Sequence, residues 1–291
     1  MDKGNIQSAN INWYPGHMAK AKREMQEKIK LVDMVIELRD ARMPEGSINP
    51  VLNEVIGNKP RLIILAKKDK ADNEITKKWV SYFKSAGNKT IALDLLHDQV
   101  SKIVSDACME VMQEKINKLK AKGMKHVEIK AMVVGIPNVG KSTMINSISR
   151  KRMAKTADHP GVTKSLQWIK VSPDVALLDT PGVLWPKFED QEVAYKLALC
   201  GSINDNVLPL NDLVIYAIDF INKNKPEMLS ERYHIELDED PHVMLERIAV
   251  ARHFLDGNGN PDITRTIAIF LNELRDGMLG TISWEKPDEN A

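Results

Sequence analysis

Residues 129–142, IKAMVVGIPNVGKS, decide how this chain is read. Ile129–Val134 is an apolar run of strand type, and Thr143–Ile148 continues as a helical pattern. Between them GIPNVGKS fills GxxxxGK[ST] at every defined position. A strand, a glycine-rich turn and a helix start, in that order, make a cradle for phosphate. Gly135 and Gly140 let backbone N–H groups turn inward at a helix N-terminus, where the dipole favours an anion. The candidate phosphate-binding residues are Pro137, Asn138, Val139, Gly140, Lys141, Ser142 and Thr143. Lys141 brings a cation to the β- and γ-phosphates, and the Ser142 hydroxyl faces Mg²⁺.

Asp179-Thr180-Pro181-Gly182 closes the apolar run Val175–Leu178 at a spacing that suits the same magnesium site. Alone it would read as a β-turn, since Asp, Pro and Gly are turn formers. Beside the phosphate loop, Asp179 becomes a Mg²⁺ candidate and the Gly182 N–H a sensor of the γ-phosphate. Between the two lies Pro160-Gly161-Val162-Thr163, where Thr163 is the best candidate to complete the metal shell; Thr156 and Thr180 compete with it. The candidate Mg²⁺ set is therefore Ser142, Thr163 and Asp179.

A nucleotide site of this kind also needs a base reader, usually [NT]KxD, downstream of DxxG. None follows here, because Asn222-Lys223-Asn224-Lys225 ends in a lysine. The one fitting segment, Ala66-Lys67-Lys68-Asp69, lies upstream, at the end of the buried-type strand Leu62–Ala66. The motif order is thus circularly permuted. Lys67, Lys68 and Asp69 are the guanine-binding candidates: Asp69 accepts from N1 and N2, an edge adenine lacks, and Lys67 lies along the base plane. Ala66 stands where an Asn is usual, and one lost hydrogen bond of that kind is worth about 1 kcal/mol.

The rest of the chain fits this frame. Its 291 residues, 43% hydrophobic and 28% charged, suit a globular protein of about two domains. A net charge of +1 leaves nucleic-acid contact to local patches. Cys108 and Cys200 are far apart and outside any CxxC, which points to a reducing cytoplasm without disulfide or structural zinc. The polar start is no secretory signal, and no apolar run reaches membrane-spanning length. Residues 1–12 read as a disordered N-terminus.

Short apolar runs alternating with helical patterns indicate an α/β fold. Strands are expected at Val32–Leu38, Leu62–Ala66, Thr90–Leu93, Ile129–Gly135, Gln167–Val171 and Val175–Leu178, forming a mostly parallel six-stranded sheet. Helices are expected at about 19–30, 48–57, 74–87, 98–122 and 141–150, the fourth joining what are ordinarily the two ends of the fold. Residues 13–190 would form the nucleotide-binding domain. After Gly182, helices are expected at 190–201, 211–224, 241–256 and 262–277, and a small all-helical domain is expected from about 200 to 285.

On these residues the chain resembles the circularly permuted GTPases of ribosome assembly, from Trp13 to about residue 285. The marks are Trp13-Tyr14-Pro15-Gly16-His17-Met18-Ala19-Lys20-Ala21, Asp40-Ala41-Arg42-Met43-Pro44 with Asn49-Pro50, GIPNVGKST, and Asp179-Thr180-Pro181-Gly182-Val183-Leu184-Trp185-Pro186-Lys187-Phe188. Two departures touch the base site: Ala66, and Leu93-Asp94-Leu95-Leu96 where a small Ser-containing loop is expected. The resemblance implies binding and hydrolysis of GTP, and a role in late assembly of the large ribosomal subunit. It also implies rRNA and ribosomal proteins as partners, contacted by the helical domain. A monomeric cytoplasmic protein is expected, its hydrolysis slow alone and stimulated by ribosomal particles.

Val183 occupies the position just after DxxG, where a Gln orients the attacking water in Ras-type enzymes. The resemblance offers His17 instead; a neutral imidazole accepts a hydrogen bond from water at cellular pH. Without the resemblance His17 reads as a loop histidine that packs or binds RNA. Asn138 is a K⁺ candidate by analogy with potassium-activated GTPases, with loop bracing the competing reading. Lysines 115, 118, 120, 122, 125 and 130, and Arg150-Lys151-Arg152 with Lys155, read as solvated faces or, with Lys20, Lys22 and Arg23, as a track for RNA phosphates. Tyr195, Trp185 and Phe188 read as packing residues. A nucleotide-gated RNA-binding scaffold with negligible hydrolysis and a P-loop ATPase are the alternatives.

Overall fold

The computed structural model describes residues 15–153, 168–180 and 190–288. Within them lie two compact units: residues 15–180 with 283–288, and residues 190–282.

The first unit is a six-stranded sheet made of β1 (Met34–Asp40), β2 (Arg61–Ala66), β3 (Lys89–Leu93), β4 (Ile129–Gly135), β5 (Trp168–Ser172) and β6 (Val175–Leu178), in the order β3-β2-β1-β4-β6-β5. Every pairing is parallel except β5 with β6. Helices α1 (Pro15–Lys28), α2 (Pro50–Ile56) and α3 (Asn73–Ser85) pack on one face; α4 (Val100–Val111) and α6 (Lys141–Met153) pack on the other, with α5 (Gln113–Ala121) continuing from α4. Coverage on both sides explains why all seven residues of β1 are buried, a run rather than an alternation.

The six expected strands are present, each within two residues of its expected ends. The helix expected over 98–122 is divided at Met112, where φ −98°, ψ 8° turns the chain. Met112 and Ile116 both stay buried, so the bend keeps the apolar stripe of Val100, Val104, Ala107 and Cys108 turned to the core.

The second unit is all helical: α7 (Gln191–Leu199), α8 (Leu210–Asn224), α9 (Glu227–Tyr233), α10 (Pro241–Ala251) and α11 (Ile263–Asp276). The short α9 was not expected. The helix expected over 241–256 stops at Ala251, because Leu255 and Pro261 pair across a turn in which the Asp256 carboxylate accepts the N–H groups of Asn258 and Asn260. In its core Glu273 holds Arg232, Arg252 and the Tyr233 hydroxyl. Residues 283–285, expected at the end of this helical part, belong with the sheet unit.

Among the described residues no helix is long and apolar enough to cross a membrane.

Candidate functional site

Parallel pairing fixes where the site lies. Leu38 pairs with Gly135 and Asp40 with Ala66, so the loops after β1, β2 and β4 open at the same edge of the sheet. The carboxyl ends of β3 and β6 point to the same edge. Carboxyl ends of parallel strands are where open α/β sheets bind ligands. The two motifs, about seventy residues apart in sequence, are thereby neighbours: a Cβ added at Gly140 would stand 2.7 Å from Leu95 Cδ1 and 3.7 Å from the Ala66 Cβ.

The phosphate loop is shaped by backbone. Gly135 has φ 155°, and a Cβ there would lie 2.7 Å from the Leu38 carbonyl oxygen. Gly140 has φ 119° and Asn138 φ 55°. No other residue type fits the first two positions without displacing a neighbour. The Lys141 amine donates to the carbonyls of Gly135 and Ile136, 3.0 Å each, which folds it back over the loop. Burial pushes that amine down to about 8, while Asp179 opposes the shift. Val139 and Met144 are fully buried and anchor the loop below.

Ser142 is exposed at the start of α6 and Asp179 is exposed at the end of β6, both on the site edge. Thr180 donates its hydroxyl to the Val133 carbonyl, 2.6 Å away, which ties the DTPG segment to β4. A hydroxyl, a carboxylate and nucleotide phosphates are hard oxygen donors of the kind Mg²⁺ takes, with water filling the remaining positions. Among the described residues no group of three or more His, Cys, Asp or Glu could hold a metal by itself. Thr163, Gly182 and Val183 lie outside the described residues. So does the side chain of His17, whose backbone is in α1.

The candidate base-reading loop is built differently. Lys67 has φ 60° and ψ 37°, left-handed and strained for a side-chain-bearing residue, and it opens a tight turn through Lys68, Asp69 and Lys70. Its amine lies 3.1 Å from Asp40 Oδ2. Asp40, fully buried, also takes the Arg42 guanidinium in a two-pronged contact of 2.9 and 2.8 Å and accepts the Arg42 backbone N–H. Burial alone would raise the Asp40 carboxyl; Arg42 and Lys67 outweigh it and hold it well below the usual carboxylate range. Asp69 is exposed at the tip. Lys68 is joined to Asp98, which also accepts the Asp94 N–H. Asp94 in turn holds the His97 ring at 2.6 Å and the N–H groups of Leu96 and His97.

Ala66 is completely buried, and Leu95, 4% exposed, lies with it beside Gly140. The two departures from the usual pattern are therefore one substitution in physical terms. Both residues are apolar where they approach Gly140, so the amide of the usual base motif has no counterpart there. The Asp40–Arg42 pair was visible in the sequence only as part of a motif, with no role attached. Its signal was a buried-strand Asp followed two residues later by an Arg.

Of the basic stretch, Lys115 pairs with Asp33, Lys118 with Glu114, and Lys130 lies over the Trp168 ring. Lys120, Lys122 and Lys125 are exposed, and Lys22 pairs with Glu54. The side chains of residues 20, 150–152 and 155 lie outside the described residues, as do Trp185 and Phe188. Tyr195 is buried and packs edge-on to Tyr216.

Comparison with known proteins agrees with this geometry. A family model described as 50S ribosome-binding GTPase matches residues 130–247. Ribosome biogenesis GTPase A of Bacillus cereus is 49% identical over 96% of this chain and 95% of that protein. Mitochondrial ribosome-associated GTPase 1 of Bos taurus is 33% identical over 94% of this chain and 88% of its own length. A GNP-bound YlqF from Thermotoga maritima superposes with a TM-score of 0.65 at 29% identity, covering 92% of this chain and 99% of that one. A GDP-bound YlqF gives 0.67 at 28%, covering 92% and 100%. The chain belongs to the ribosome biogenesis GTPase A family, and is a GTPase of circularly permuted motif order. Family membership closes the ATPase alternative and implies Mg²⁺ bound with the nucleotide.

Proposed function

We propose that this chain is a GTP-driven switch in late assembly of the large ribosomal subunit, binding the precursor particle and its rRNA differently in the GTP and GDP states. One observation carries the reading. The DTPG segment begins beside Lys141 at the phosphate site, and the chain runs from Asp179 directly to the first helix of the all-helical unit at Gln191. Whatever orders residues 179–190 on γ-phosphate and Mg²⁺ therefore acts at the entrance to that unit. Relatives named for ribosome biogenesis and a family model described as 50S-binding support the choice of particle.

In this reading Lys141 and the 137–143 backbone hold the phosphates. Ser142, Asp179 and Thr163 hold Mg²⁺, which neutralises charge on the transferring phosphoryl group. Gly182 senses the γ-phosphate. His17 orients the water that Val183 cannot, and Asn138 takes K⁺. Lys67, Lys68 and Asp69 read guanine. Lys120, Lys122 and Lys125, all exposed, meet rRNA phosphates with the salt dependence such contacts carry. The protein works in the cytoplasm.

Co-sedimentation with large-subunit particles under GDP and under a non-hydrolysable GTP analogue tests the switch. A several-fold difference in affinity, with released phosphate rising when particles are added, is the expected result. Equal affinity in both states would end the proposal, and turnover unmoved by particles would leave only an RNA-binding scaffold. His17→Ala is expected to keep nucleotide binding and lose stimulated turnover; full turnover would return His17 to a packing or RNA-binding role. Equal rates in KCl and NaCl would remove the potassium site.

A further inference from the structure

After the helical unit, the chain returns to the sheet unit and contacts segments that flank the Lys67–Asp69 turn. The Trp284 N–H donates to the Arg42 carbonyl at 2.7 Å. The Glu285 carboxylate accepts the N–H of Glu45 at 3.0 Å and of Gly46 at 2.9 and 3.1 Å. The Glu285 carbonyl accepts the Trp79 indole N–H at 3.3 Å, and the Ser283 hydroxyl accepts the Asp72 N–H at 3.2 Å. Ser283 and Trp284 are buried. Gly46 leaves room for this approach: a Cβ there would lie 2.4 Å from Glu285 Oε1 and 2.6 Å from Met43 Cε.

These contacts reach both ends of the loop that carries Asp69. At one end Arg42 forks onto Asp40, and Asp40 holds the Lys67 amine where the backbone is left-handed. At the other end Asp72 caps α3, accepting the N–H groups of Glu74 and Ile75, while its own N–H is held by Ser283. We propose that residues 283–285 are positioning residues for guanine recognition: they fix Arg42 and Asp72, and through them the turn that presents Asp69. The proposal rests on reading Lys67–Asp69 as the base site. It adds that nucleotide selectivity depends on a segment encoded more than 200 residues later.

The test compares GDP with inosine 5′-diphosphate, which lacks the 2-amino group that Asp69 accepts from, and with pyrophosphate as a phosphate-only competitor. The proteins are the whole chain, Glu285→Ala, Glu285→Gln, Gly46→Ala and a chain ending at Ile282, each with its unfolding midpoint measured. In the whole chain a GDP preference over inosine diphosphate of about tenfold is expected, the value of one charge-assisted hydrogen bond. It is expected to fall to about twofold in Glu285→Ala and the shortened chain, with pyrophosphate competition unchanged. Gly46→Ala, which displaces the same carboxylate from the other side, should follow Glu285→Ala. Glu285→Gln, which keeps one acceptor oxygen, should recover part of the preference. An unchanged preference in folded Glu285→Ala and Gly46→Ala would overturn the proposal. So would an equal loss of pyrophosphate binding, which would mean a general brace. Asp69→Asn separates the two readings: it should exchange guanine for xanthine, whose 2-carbonyl accepts where guanine donates. If it does so while the other variants keep their preference, the positioning role alone falls. If Asp69→Asn leaves guanine preferred, the base reading falls and takes this proposal with it.

Discussion

The phosphate loop and the proposed base-reading loop open at the same edge of one sheet, yet they are held in opposite ways. Residues 135–143 keep their shape through glycine dihedrals and main-chain geometry, with Lys141 folded onto the carbonyls of its own loop. Residues 66–72 keep theirs largely through charge, with Asp40 buried between Arg42 and Lys67 and with Lys68 on Asp98, and the Ser283 hydroxyl adds a contact at Asp72. A loop shaped by its own backbone carries its instructions locally. A loop shaped by buried charge depends on partners scattered along the chain.

The sharpest way to break this contrast is Asp40→Asn. It strips the counter-charge from a buried Arg42 and from Lys67, and is expected to cost about 3–5 kcal/mol of stability in urea unfolding. Acid should do the same. The Asp40 carboxyl is depressed in the folded protein, so its contribution is intact above the unfolded value of about 4 and is lost as pH falls below it. A flat stability profile between pH 5 and pH 2, or a cost under about 1 kcal/mol, would show that the base loop does not lean on this pair.

Lys141→Ala addresses the other side. It removes a cation without touching loop glycines, so the fold should survive while phosphate release falls about a hundredfold or more. A variant that unfolds would mean the loop relies on charge after all.

A smaller effect concerns the joint between the loops. Ala66→Asn adds an amide to a fully buried site already filled by Leu95, and overpacking of this kind costs about 1–3 kcal/mol. With Leu95→Ser in the same chain the cost should vanish and GDP should bind about fivefold tighter than to the unaltered protein. Additive effects in calorimetry would deny that the two departures are one substitution.

The smallest effect is a pH dependence. Free Lys141 titrates at about 8, whereas bound phosphate favours its charged form. GDP affinity should be level below pH 8 and decline above it, toward tenfold per unit. The same depressed amine makes the nucleotide-free fold less stable below pH 8 than between 8 and about 10.5, where the unfolded chain still binds its proton. Affinity unmoved between pH 7 and 9 would place Lys141 away from the phosphates.

How much of this was legible beforehand follows the same division. GIPNVGKS and its flanking strand and helix can be read from a dozen residues, because every requirement is local. The six strands were legible because a sheet covered on both faces demands continuous apolar runs such as Leu62–Ala66. Asp69 was placed by its strand, but the Asp40–Arg42–Lys67 contact was not, since nothing in the spacing of 40, 42 and 67 says that β1 and β2 pair with Asp40 opposite Ala66. The role of Leu95 was hidden for the same reason. The division of the 98–122 helix at Met112 and the stop of α10 at Ala251 were missed because periodicity continues across both points. Local turns, at Met112 and around the Asp256 carboxylate, decide where those helices end, not the apolar periodicity.

The return of residues 283–285 to residues 42–46 also bears on how the molecule is made. A chain emerging from the ribosome exposes β1, β2 and the whole sheet long before Glu285, and the all-helical unit must be synthesised in between. The sheet unit can collapse early, but this contact spans some 240 positions and closes a loop containing nearly everything else. Folding of the unit that is begun first is therefore completed last.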